Sequence, residues 1–294
     1  MNGPVVVGVD GSDSALAAVD VAAREARMRD VRLRVVHAFT WPAMHAPGAS
    51  PLGPPAGAIH QAVEHLLTQA VGRASAAAPE VEVSHAVIPG EELTVMEAQS
   101  RTAQLIVVGH RGTGGFLELL LGSTAVHLSA HAHCPVMVVR GRPDPAGPVV
   151  VAVDSSPQSQ PALAFAFAEA ALRGADLLAL HAWSTWADHG EHRFGDPVDL
   201  VDLIDDVEQL QAEEERVLAE ALSGHRERYP ELTVETSLVR KRTRPALIEA
   251  SDSAQLMVVG ARERGGLSAM FPGSARHAVL HHARCSVTVV PSDL

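Results

Sequence analysis

The sequence predicts an α/β protein of two tandem, doubly wound units, each a five-stranded parallel sheet covered by helices. Three observations carry this. Short apolar runs alternate with helix-length segments from end to end, which implies parallel strands joined by right-handed crossovers. The runs are continuous in Val, Leu and Ile, as in strands buried on both faces. Finally, the stretch Leu105–Val139 (LIVVGHRGTGGFLELLLGSTAVHLSAHAHCPVMVV) returns as Leu256–Val290 (LMVVGARERGGLSAMFPGSARHAVLHHARCSVTVV). The chain is therefore a repeat, with domains expected at 1–142 and 147–294. A length of 294 residues, 47% of them apolar, is enough for two such cores.

In the first unit Pro4–Val9 (PVVVGV) reads as a strand, followed by the turn and capping sequence Asp10-Gly11-Ser12-Asp13-Ser14. Ala15–Arg29 is alanine-rich with apolar residues at helical spacing. Arg32–Ala38 is a second strand. Phe39–Ala58, dense in Pro, Gly and Ala, reads as a long loop or lid. Ile59–Ala77 is a helix, Val81–Ile88 a third strand and Pro89–Ser100 a turn and helix. Leu105–Val108 and Val136–Val139 are the last two strands. The second unit repeats this as Pro148–Val153, Gln160–Arg173, Asp176–Trp183, a loop at Ser184–Asp199, a charged helix at Val201–Arg228, Leu232–Val239, Pro245–Ser251, and the closing strands that begin at Leu256 and Val287. The Glu213-Glu214-Glu215 run reads as a solvated face. Pro143–Pro148 (PDPAGP) is a short linker of turn formers.

Asp10 and Asp154 stand 144 residues apart, as do His37 and His181, whereas Gly109 and Gly260 stand 151 apart, as do Cys134 and Cys285. The extra length of the second unit thus lies after its second strand, outside the core.

The chemistry-bearing stretch is the glycine loop. Gly109-x-x-Gly112 is followed after nine residues by Gly122-Ser123 and then a helix. Glycine lets the backbone approach an anion closely, and the amides of a helix N-terminus supply donors at the positive end of its dipole. The spacing is neither GxxxxGK[ST] nor GxGxxG, so it matches neither the Walker nor the dinucleotide loop. Asp10 and Asp154 close their first strands, where open parallel sheets hold ligands. A carboxylate there accepts hydrogen bonds from ribose or base. The competing reading is helix capping, for which Ser12, Asp13 and Ser14 are also suited.

The G-x-x-G, nine-residue, G-[ST] pattern, ending in a Cys-Pro-Val strand, resembles the universal stress protein family, and the resemblance covers nearly the whole chain twice. It implies a strand order of 3-2-1-4-5, a nucleotide-α-hydrolase-like architecture and an ATP-binding loop with slow or no hydrolysis. The implied contacts are Asp10 to ribose, Ala38 to adenine, and Gly109, Gly112, Gly122, Ser123 and Thr124 to the phosphates, with Mg²⁺ sharing their charge. The matching positions of a second, weaker site are Asp154, Ala182, Gly260, Gly265, Gly273, Ser274 and Ala275. That site is weakened because Glu263 replaces Gly112 and Pro272 precedes Gly273. The alternatives are an ATP-dependent enzyme of the related architecture and an interaction protein that keeps the fold without the nucleotide.

Other features narrow the field. A net charge of −12 disfavours a non-specific nucleic-acid surface. No apolar run approaches a membrane span, and two cysteines without a signal-peptide core point to the cytoplasm. A second copy of the chain is an expected partner beside the adenine nucleotide, and the sequence leaves the downstream partner open. His37 and His181 read as satisfied strand residues. His127, His131, His133 and Cys134 resemble a metal cluster, but the repeat keeps only His282 and Cys285, with Ala278 and Arg284 at the other two places, so no protein metal site is expected. Cys134 and Cys285 read as small core filler.

Overall fold

The computed structural model describes residues 3–40, 56–112, 121–141, 146–154, 156, 159–184, 200–261 and 274–294. The chain divides into two compact units, Met1–Pro143 and Asp144–Asp293.

The first unit runs β1 (Val5–Gly8), α1 (Asp13–Met28), β2 (Leu33–Phe39), α2 (Ala56–Ala77), β3 (Val83–Pro89), α3 (Glu92–Ser100), β4 (Leu105–Gly109), α4 (Ser123–His131) and β5 (Val136–Val139). Its strands are parallel and ordered β3-β2-β1-β4-β5. The second unit runs β6 (Val149–Ala152), α5 (Gln160–Arg173), β7 (Leu177–Trp183), α6 (Leu200–Arg228), β8 (Val234–Arg240), α7 (Thr243–Ala250), β9 (Leu256–Gly260), α8 (Ala275–His282) and β10 (Ser286–Val290). It repeats the order as β8-β7-β6-β9-β10, again all parallel.

Valine runs at Val5–Val7 and Val149–Val151 are fully enclosed, as the unbroken apolar pattern of a doubly covered strand requires. Against the first of these runs α1 lays a strip of small residues, Ala15, Ala18, Ala22 and Ala26, all buried. Alanine there lets the helix axis approach the sheet closely, which explains how a chain only 3% aromatic fills its core. Two buried serines brace equivalent places. Ser100 Oγ accepts the His133 amide at 2.9 Å, and Ser251 Oγ accepts the Arg284 amide at 3.0 Å. Cys134 is enclosed, and burial pushes its thiol up to about 12, so it is the inert filler the sequence implied.

Two expectations need correction. The helix α2 starts at Ala56, inside the segment read as loop, while 41–55 lie outside the described residues. The glutamate run on α6 is not wholly solvated, because Glu214 reaches His181 Nε2 at 2.8 Å.

The two first helices end alike but with different residues. Val31 N donates to Ala26 O at 3.0 Å, and Ala175 N to Ala170 O at 3.0 Å, the six-to-one bond of a left-handed helix stop. Gly174 takes the left-handed position at φ 59°, whereas the first unit places Asp30 there at φ 52°. A side chain in that region is strained. Asp30→Gly should therefore stabilise the first unit by about 0.5–1 kcal/mol, and Gly174→Ala should destabilise the second by a similar amount. Denaturant titration of both variants checks this, and equal midpoints for all three proteins would contradict it.

Candidate functional site

The first unit's crevice opens where β1 and β4 run side by side. Val5 pairs with Leu33 on one flank and with Leu105 on the other. Continuing that register sets Asp10 level with Ala38 of β2 and with His110, just beyond β4. Residues about a hundred positions apart thus share one end of the sheet, at the switch point where open α/β sheets bind ligands.

Asp10 does not cap the helix; Ser12 does. Ser12 Oγ accepts the Ala15 amide at 3.1 Å. Asp10 Oδ1 accepts both the Ser12 amide, at 3.0 Å, and the Ser12 hydroxyl, at 2.7 Å. The capping reading of this stretch is therefore realised by Ser12, with Asp10 holding the turn that leads into the helix. Behind Asp10, His37 Nδ1 lies 2.8 Å from the Val9 carbonyl, which fixes the backbone from which the aspartate leaves β1. His37 is thus a satisfied strand residue with a positioning role.

The glycine loop is latched to the start of α1 by two serines that sequence reasoning did not assign to it. Arg111 N donates to Ser14 Oγ at 3.2 Å, and the Ser12 hydroxyl shares its proton between Asp10 Oδ1 and the more distant Arg111 O, 3.2 Å away. His110 Nδ1 sits 3.1 Å from Ser14 Oγ and 3.1 Å from the Val139 carbonyl. Burial lowers the affinity of the His110 ring for a second proton; the Val139 carbonyl works against this, while Arg140 and Arg111 reinforce it. The latch is thus held by a neutral imidazole near pH 7.

Each glycine of the motif has its own reason. A Cβ on Gly109 would lie 2.6 Å from the Ser14 carbonyl carbon, so only glycine lets β4 pass α1. A Cβ on Gly112 would lie 2.6 Å from Asp10 Oδ2, so the loop's second glycine makes room for the aspartate. Gly122 is different. Its nearest neighbour would be His110 O at 3.6 Å, and its backbone is ordinary and extended. The fold does not demand a glycine there, since a Cβ would meet its neighbours at ordinary contact distance.

Gly122 N donates to His110 O at 2.8 Å, which fastens the start of α4 to the end of β4. Gly122 is the N-cap of α4 and offers no side-chain cap. Helix geometry leaves the Ser123, Thr124 and Ala125 amides without carbonyl partners inside the helix. Ser123 is exposed, and the Thr124 hydroxyl donates to Glu92 Oε1 at 2.8 Å, which turns its side chain aside from the loop. The first amides of α4 thus stand beside the exit of β4, where Gly109, Gly112 and the Asp10 carboxylate also meet.

The histidine-rich end of α4 lies apart from these amides. His127 Nε2 meets Glu97 of α3 at 2.8 Å, and its ring stacks on His131 at 4.4 Å. The His127 hydrogen bond, more than any other influence, holds the Glu97 carboxyl below its usual range. Among the described residues no group of three or more His, Cys, Asp or Glu could hold a metal ion.

The family model for universal stress proteins matches residues 1–140 and again 146–291. The chain belongs to the universal stress protein family. A universal stress protein of Mycobacterium tuberculosis is 37% identical over 317 residues, spanning 98% of this chain and 96% of that one. A second from the same organism is 39% identical over 298 residues, covering 97% of this chain and 96% of its own length. In fold, the chain is similar to a universal stress protein from Archaeoglobus fulgidus, with a TM-score of 0.71 at 16% identity over 99% of both chains.

The second universal stress protein repeat keeps part of the crevice. Asp154 Oδ1 accepts the Ser156 amide at 3.0 Å and the Ser156 hydroxyl at 2.6 Å, and His181 Nδ1 meets the Val153 carbonyl at 2.8 Å. Continuing the register sets Asp154 level with Ala182, with Gly260 ending β9 one step behind. The histidine–serine latch is absent by composition: Gln158 stands for Ser14 and Ala261 for His110. Gly265, Gly273, Glu263 and Pro272 lie outside the described residues. Ser274 is buried and caps α8, its hydroxyl accepting the His277 amide at 3.0 Å, and Ala275 follows as the first helical residue.

The different reasons for the glycines can be separated by substitution. Gly109→Ala should destabilise the first repeat by about 2 kcal/mol or more, since backbone must move. Gly122→Ala should change stability by less than about 1 kcal/mol. Thermal unfolding of the two variants distinguishes them, and equal losses would contradict the assignment.

Proposed function

We propose that the first repeat is an ATP-binding regulatory module of a stress response, and that nucleotide occupancy is the signal it carries. The observation that carries this reading is the parallel pairing of β1 with β4. It brings the Asp10 carboxylate beside Gly112 and the exit of β4, to which Gly122 is fastened. The Ser123 and Thr124 amides and the Ser123 hydroxyl would receive the phosphates, with the positive end of the α4 dipole behind them. Asp10 Oδ2, on the Gly112 side, would accept from a ribose hydroxyl, and Ala38 would leave room for the adenine beside β2. The donor set suits a triphosphate already carrying its cation. Mg²⁺ would arrive bound to the phosphate oxygens and lower their mutual repulsion.

Gly122 gives the sharpest test. Gly122→Val puts two methyl groups where a phosphate would lie, while the backbone there accepts any residue. Equilibrium binding of ATP with Mg²⁺ should weaken by about a hundredfold or more in this variant, or roughly 3 kcal/mol, with an unchanged circular dichroism spectrum. Unaltered affinity in a folded Gly122→Val protein would remove the loop from the account.

A further inference from the structure

The second repeat fills its own crevice floor. In the first repeat the third residue of α4 is Ala125, small and buried. The same place in α8 is Arg276. Its long side chain is not out in solvent: the residue is only 6% exposed, and Nη1 donates to the Ala261 carbonyl at 2.6 Å. That carbonyl is the counterpart of His110 O, which in the first repeat accepts the Gly122 amide. A guanidinium therefore lies against the exit of β9, where the first repeat carries only the methyl group of a buried alanine.

The helix start differs in the same sense. Ser123 is the first helical residue of α4 and is exposed, whereas its counterpart Ser274 is the N-cap of α8 and is buried. Its hydroxyl, the counterpart of the Ser123 hydroxyl offered to phosphate in the first repeat, is spent on the His277 amide. Hydroxyl and guanidinium are thus both engaged with the neighbouring backbone. A triphosphate entering as in the first repeat would have to break these bonds and displace a buried side chain.

We propose that Arg276 and Ser274 close the second repeat to nucleotide, so that the chain takes one ATP, in the first repeat. This rests on the nucleotide reading of the first repeat. Arg276 is then a selectivity residue, an internal cation in the place of the ligand's surroundings. The other role open to a guanidinium, direct phosphate binding, predicts the opposite response to its removal.

Isothermal titration of the full chain with ATP and Mg²⁺ tests this. The native protein should show about one site. Arg276→Ala, or Arg276→Gln should the smaller residue unfold α8, should leave that site's affinity unchanged. The double variant Glu263→Gly/Arg276→Ala, which restores the first repeat's residues, should raise the stoichiometry to about two. Two comparable sites in the native chain would overturn the proposal, as would loss of a site on removing Arg276, or a double variant that folds and stays at one. No binding at all by the native chain would instead overturn the nucleotide reading, and this inference with it.

Discussion

The first repeat depends on one contact above the rest, the parallel pairing of β1 with β4. Val5–Val7 lie beside Leu105–Val107 in register, so two loops far apart in sequence emerge next to each other. No local feature makes Asp10 or the glycine loop a site. Their adjacency does, and it follows from a strand order in which the first and fourth strands are neighbours. The same pairing recurs as β6 with β9, in the same register relative to the second strand. The repeat has therefore preserved the frame of a site even where its residues have changed.

Upon that frame the loop is fixed by short-range forces of ordinary size. Two serine hydroxyls and a histidine ring tie Arg111 and His110 to the first turn of α1. Each such bond contributes about 1 kcal/mol net, so the latch is strong only as a set. Gly109 is a steric necessity of the closeness it imposes, whereas Gly112 leaves the Asp10 side chain its place. Gly122 is under no such constraint, since a Cβ there would meet its neighbours at ordinary distance.

Much of this is legible in the sequence, because each element has its own local signal. Gln160–Arg173 is bounded to the residue, with Ser159 before it and Gly174 in a left-handed stop after it. Val136–Val139 is likewise bounded, between Pro135 and the polar Arg140. The start of α2 is missed because Ala56-Gly57-Ala58 follows a proline-rich stretch and carries loop composition. The Ser14–His110 contact spans 96 residues and obeys no periodicity, so no pattern exposes it. Glu214 reads as one of three solvated carboxylates, and only the packing of α6 shows it turned to His181. Arg276 carries a usable signal: superposing the two repeats sets it opposite Ala125, an arginine where the fold has room for a methyl group.

The central claim is that the β1–β4 crevice of the first repeat is a nucleotide site. A crystal structure of the full chain grown with ATP and Mg²⁺ tests it most directly. The account predicts phosphate density within hydrogen-bond reach of the Ser123 and Thr124 amides, a ribose against Asp10 and an adenine beside Ala38. Nucleotide bound elsewhere, or a crevice filled only by water at saturating ATP, would contradict it.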